Sequence, residues 1–221
     1  MRLTSTHLAI ALTLSLLAPA AAMAQEPILP DEVKDIPTEY AGALPVQGVP
    51  SVKLVEGDLI IQGTRDKDRV LVKLHEGSEV AVVHNGATIH EAPLASVERV
   101  WFDGGKSADV FKNDTHLPCV AFGGEGNDQL TGGTADDQLI GSDRLGNDSI
   151  NAINLLYGRD GDDVLVGYHN GDVLYGGEGA DVLYGVEGND VILGDAGDDV
   201  LQGGEGDDVV LGGEGRDFIK L

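Results

Sequence analysis

The chain has 221 residues, with 38 Asp and Glu against 14 Lys and Arg and a formal net charge of −24 at pH 7. A surface of that sign repels phosphate backbones and anionic headgroups and attracts cations, which excludes nucleic acid as a partner class. A single cysteine, Cys119, cannot form an internal disulfide, so something other than a covalent staple must hold the fold in an oxidising compartment.

Residues 1–24 read as a secretory signal peptide. Arg2 is followed by an apolar stretch from Leu8 to Ala18, then Pro19 and the small-x-small end Ala22-Met23-Ala24. That stretch is too short to span about 30 Å of hydrocarbon. No other segment is long enough, so no membrane span is expected once the signal is removed. A lipid anchor needs Cys at the cleavage point, where Gln25 stands. The expected location is extracellular or at the cell surface, or periplasmic if export stops there. Residues 25–50 carry Pro27, Pro30, Pro37, Pro45 and Pro50 with little apolar periodicity and read as a Pro-rich linker.

Residues 51–122 change to short β runs: Leu59-Ile60-Ile61, Val70-Leu71-Val72, Val80 to Val83 and Val97 to Trp101. They are expected to form a β lead-in and N-terminal cap, with Trp101 and Phe102 plugging the apolar end of the stack that follows. Cys119 reads as a small buried apolar residue. The stretches Gly63 to Leu71 and Gly104 to Lys112 already keep Gly, Asp and an apolar residue at positions one, six and eight of a nine-residue phrase.

From Gly158 to Lys220 that phrase is written seven times without a gap, as GRDGDDVLV, GYHNGDVLY, GGEGADVLY, GVEGNDVIL, GDAGDDVLQ, GGEGDDVVL and GGEGRDFIK. The first residue is always Gly, the sixth always Asp and the eighth always aliphatic. Two more copies fill residues 123–140. An irregular copy with a two-residue insertion is read from Gly141, placing Asp148 sixth and Ile150 eighth. Residues 123–221 hold 22 Asp or Glu against four Lys or Arg, so the acid is concentrated here.

This phase is similar to the haemolysin-type (RTX) calcium-binding nonapeptide repeat family. The resemblance implies an all-β chain whose residues 123–221 form a right-handed parallel β-roll binding Ca2+. Glycines at positions one, two and four let a loop curl with its carbonyls inward, and position six adds a carboxylate. One such half-loop supplies only part of a calcium shell of about six to eight oxygens, so a second loop must complete it. Two nonapeptides then make one turn, and each ion is shared by repeats n and n+2.

Asp163, Asp181, Asp199 and Asp217 are thereby placed on one edge, and Asp172, Asp190 and Asp208 on the other, giving five sites. Carbonyls are expected from Gly158, Gly161, Gly176, Gly177, Gly179, Gly185, Gly188, Gly194, Gly197, Gly203, Gly204, Gly206, Gly212, Gly213 and Gly215. Gly123 and Gly158 are 35 residues apart, close to four nonapeptides. This puts Asp128 and Asp148 on the edge of Asp163, extended by Asp109. Ala135 at position four makes Asp137 a weaker ligand, and Arg159, Tyr168, Val186 and Asp195 at position two weaken their loops. The competing reading gives every Gly and Asp to turns, each Asp capping a backbone NH.

Catalytic signatures are incomplete. His75-Glu76 and His90-Glu91 lack the second His of a zinc-protease helix, and Gly105-Lys106-Ser107 lacks the earlier Gly of a phosphate loop. The six His read as surface or loop residues. The export route expected is the N-terminal signal, since the last copy ends at Lys220. The function expected is a non-catalytic calcium-binding module. One alternative is a small carbohydrate-active enzyme. Another is an adhesin or matrix component that docks an extracellular protein or polysaccharide on the outward strip Val173, Tyr175, Val191, Leu193, Val209 and Leu211.

Overall fold

Runs in which every second residue is apolar bury one face, and that period of two makes them strands. The computed structural model describes residues 48–142 and 152–221. The expected signal peptide, most of the linker, Asp148 and Ile150 lie outside the described residues. The lead-in contains β1 (Ser51–Val55), β2 (Asp58–Gln62), β3 (Arg69–His75), β4 (Glu79–His84), β5 (Ala87–Pro93), β6 (Arg99–Asp103), β7 (Val110–Asp114) and β8 (Cys119–Phe122). The repeats contain β9 (Gln129–Thr131), β10 (Gln138–Ile140), β11 (Leu155–Asp160), β12 (Val164–Tyr168), β13 (Val173–Glu178), β14 (Val182–Glu187), β15 (Val191–Ala196), β16 (Val200–Glu205), β17 (Val209–Glu214) and β18 (Phe218–Lys220). A 3-10 turn at Leu94–Ser96 is the single helical element among the described residues.

The strands build two nine-stranded sheets, ordered β1-β2-β6-β8-β10-β12-β14-β16-β18 and β17-β15-β13-β11-β9-β7-β3-β4-β5. From β6 onward the chain alternates between them, and each strand pairs in parallel with the next-but-one. Val173 lies opposite Val191, and Val191 opposite Val209. The result is a parallel β-roll with two nonapeptides per turn. Position eight fills its core: Leu165, Leu174, Leu183, Ile192 and Leu201 are all at 0% exposure. The same sheets run through residue 122, and Asp58 to Gln62 already pairs in parallel with Arg99 to Asp103. Strands in the regular block reach six residues, because positions two and three of a loop pair with the loop 18 residues on, as Gly177 does with Asp195 and Glu178 with Ala196.

The N-terminal end is closed by hairpins. β1 and β2 pair antiparallel around Glu56-Gly57, and β4 and β5 around Asn85-Gly86. Both central residues of each turn have positive φ (51° and 97°, 50° and 85°), the geometry that matches strand twist in two-residue hairpin loops. This corrects the expectation for Trp101 and Phe102. β6 is the third strand of its sheet, not the end. Phe102 stacks on Phe111 inside the core at 4.6 Å, and Trp101 faces the outer side with Val120, Phe122 and Ile140.

The irregular copy is also corrected. Leu156 pairs with Leu130 on one side and Leu174 on the other, so it holds position eight. Asn154 therefore holds position six, and the copy runs from Gly141 to Tyr157. However long, it supplies one half-turn. The step from Gly123 to Gly158 is then three half-turns rather than four, which puts Asp128 on the edge of Asp172 and not on that of Asp163.

Candidate metal centre

Each loop precedes a strand, as Gly158 to Asp163 precedes β12. In the regular block positions two and four lie in the positive-φ region, Arg159 at 96° and Gly161 at 121°. A Cβ on Gly177 would fall 2.0 Å from the carbonyl oxygen of Arg159, and one on Gly179 would fall 2.0 Å from that of Gly161. Carbonyls at positions two and four thus point at the next loop of the stack. A Cβ on Gly158 would meet Oδ2 of Asp163 at 2.2 Å and the Gly176 carbonyl oxygen at 2.6 Å. The carboxylate therefore folds back over the first glycine of its own loop, beside a carbonyl from the loop 18 residues on.

The other carboxylate oxygen, Oδ1, accepts a backbone N–H. The N–H of Asp163 donates to Asp181 at 2.8 Å, that of Asp181 to Asp199 at 2.9 Å, and that of Asp199 to Asp217 at 3.2 Å. On the opposite edge the N–H of Asp172 donates to Asp190 at 2.8 Å and that of Asp190 to Asp208 at 3.0 Å. Upstream, this second ladder continues through Asn154, Asp128, Asp109 and Asp68. Asp137 joins the first ladder by donating to Asp163 at 2.7 Å. Capping of an NH and metal ligation are therefore not rivals, because one oxygen does the first and the other remains.

That remaining oxygen is the unusual group. Oδ2 of Asp163, Asp181, Asp190 and Asp199 is buried without a hydrogen-bond partner. A buried acceptor left unpaired costs about 1–3 kcal/mol, more when charged. Burial, followed by neighbouring carboxylates, pushes Asp163 up to about 8 and Asp181 and Asp190 to about 7 from an ordinary 3.8. Asp137 differs. Its Oδ2 accepts from the N–H of Gly133 and its Oδ1 from that of Cys119, so the protein satisfies both oxygens.

Two features went unread in the sequence. Position five also forms a ladder in some copies, since Oδ1 of Asp162, Asn189 and Asp198 accepts the N–H of Ala180, Asp207 and Arg216. Its only signal was the Asp or Asn preceding the invariant Asp. His84, expected at the surface, is 6% exposed and places Nε2 2.9 Å from Asp68 Oδ1, closing the upstream end of one ladder. His75, Glu79 and Glu91 also gather at the outer hairpins, in an exposed cluster.

The ladder offers oxygens only, from one carboxylate per loop and converging carbonyls. This donor set suits a hard cation of calcium's size and flexible coordination. The buried Oδ2 atoms and the absence of room for a Cβ at position one fit that ion. The family model described as RTX calcium-binding nonapeptide repeat (4 copies) matches residues 120–150, 151–183 and 184–219. No curated protein matches the chain.

Proposed function

Residues 120–219 belong to the RTX calcium-binding nonapeptide repeat family, and from that premise we propose an exported protein whose β-roll folds with calcium and acts as a non-catalytic structural or interaction module. The observation that carries this reading is the repeated buried Oδ2, at Asp163, Asp181, Asp190 and Asp199. On the same ladders Asp172, Asp208 and Asp217 supply further carboxylates, and Asp128 stands at the upstream end of the matched segment. Loop carbonyls at positions one, two and four complete each shell. A bound Ca2+ neutralises the clustered negative charge that otherwise opposes folding. Ion uptake and folding are therefore one equilibrium.

Export rests on the signal-like residues 1–24, and points to an extracellular, surface or periplasmic location. Residues 51–122 act as the cap from which the roll grows. The non-catalytic reading is supported by the use of the acidic residues, whose Oδ1 atoms are tied into backbone hydrogen bonds at a structural period. An interaction role is supported by the outer face of one sheet, where Val173, Val191 and Val209 align in one row and Tyr175, Leu193 and Leu211 in the next. At its end Val209 is 53% and Leu211 57% exposed, which suits a protein or polysaccharide partner. Circular dichroism of the mature chain tests the core of the reading. Millimolar calcium should convert a disordered spectrum to β, and chelator should reverse it. A spectrum indifferent to both overturns it.

A further inference from the structure

We propose a further calcium site in the lead-in, between the loops Gly104 to Asp109 and Gly123 to Asp128, which binds independently of the main array. The proposal rests on the calcium reading of the ladder above. The family match begins at residue 120, so the first of these loops lies outside it. The loop departs from the repeat in two ways: Ser107 stands at position four, and its Asp lies 19 residues rather than 18 from the next.

The geometry nevertheless reproduces the repeat. Gly105 and Ser107 take φ of 94° and 74°, the same positive region as positions two and four of the regular block. A Cβ on Gly124 would fall 2.3 Å from the Gly105 carbonyl oxygen, and one on Gly126 would fall 2.4 Å from that of Ser107. The same carbonyls thus point into the same gap. A Cβ on Gly104 would meet the Gly123 carbonyl oxygen at 2.3 Å and Oδ2 of Asp109 at 2.8 Å. Asp109 is at 0% exposure, and its Oδ2 has no hydrogen-bond partner.

The neighbouring loops show why this pair is singled out. One stack level upstream, Asp68 needs no ion: Oδ2 accepts the N–H of Thr64 at 2.6 Å, and Oδ1 meets His84. One level downstream the carboxylate is replaced by Asn154, a neutral amide that receives the Asp128 N–H at 3.1 Å. The Asp109–Asp128 pair is therefore bounded by the self-satisfied carboxylate of Asp68 on one side and the neutral side chain of Asn154 on the other. It is separated from the array that starts at Asp172.

Trp101, the only tryptophan, lies in β6, which leads directly into Gly104. Terbium in place of calcium, excited through tryptophan alone at wavelengths where tyrosine does not absorb, therefore reports this site in the full chain. Wild type should give tryptophan-sensitised emission that calcium displaces. Asp109→Asn keeps the Oδ1 acceptor for the Asp68 N–H and should lose that emission, while its circular dichroism still responds to calcium. Asp190→Asn should keep that emission and move its dichroic response to higher calcium. Emission retained in full by Asp109→Asn overturns the site, as does wild type that responds to calcium by dichroism but gives no tryptophan-sensitised emission. The latter comparison needs no variant to fold. A chain responding in neither measurement overturns the calcium reading beneath it.

Discussion

Asp190 donates its backbone N–H to Oδ1 of Asp208 at 3.0 Å, while its own Oδ1 accepts the N–H of Asp172 at 2.8 Å. It is thus tied to a loop on each side of the stack. Asp217 accepts only from Asp199, at 3.2 Å, in the last described turn. Asp190→Ala removes an acceptor from a buried N–H, costing about 1–3 kcal/mol, and damages two shared ion shells. Asp217→Ala damages one and frays an end. The calcium concentration at half-folding should rise several-fold more for Asp190→Ala. Equal midpoints in parallel titrations would reject shared sites.

Without metal, pH should act in the direction opposite to most proteins. Burial raises Asp163 to about 8 and Asp181 and Asp190 to about 7 in the fold, against 3.8 ordinarily. A carboxyl raised in the folded state contributes stability that is fully present below its unfolded value and lost as pH climbs through its folded value. In chelator, residual β content should therefore be greatest near pH 4 and fall steadily towards pH 8, where the metal-free chain is disordered. With calcium the trend reverses, because the ion takes ionised carboxylates and protons compete with it. A metal-free chain whose β content grows from pH 4 to pH 8 contradicts this account.

Val186 sits at position two with φ of 93°, a region that penalises a β-branched side chain. Such strain costs about 1–3 kcal/mol. Val186→Gly should relieve part of it, lower the calcium midpoint and raise the melting temperature of the calcium-loaded roll. A melting temperature that drops instead shows that Val186 contributes more by packing than it costs in strain.

Magnesium should fold the chain poorly. It demands near-octahedral geometry at about 2.0–2.1 Å and gives up water reluctantly, whereas the loops offer a flexible set of carbonyls and one carboxylate each. Equal β content at equal magnesium and calcium concentrations argues against carbonyl ligation.

The nine-residue period, together with the family resemblance that it carries, already placed two repeats per turn, the inward ladder of Leu165, Leu174, Leu183, Ile192 and Leu201, and the stacking neighbours of Asp163, Asp172, Asp181 and Asp190. A local period sets rise and side-chain direction before any distant contact forms. It could not locate position six of the irregular copy, because an insertion can loop out at any point. Sheet register alone seats Asn154 there, counts three half-turns between Gly123 and Gly158, and moves Asp128 to the other edge. Nor could it tell Asp109 from Asp68 or Asp137, which share a residue type and a position in the phrase. What separates them is whether Thr64, His84, Gly133 and Cys119 come close enough to satisfy a carboxylate. Hydrogen-bond saturation of a buried oxygen depends on the neighbours that folding brings to it.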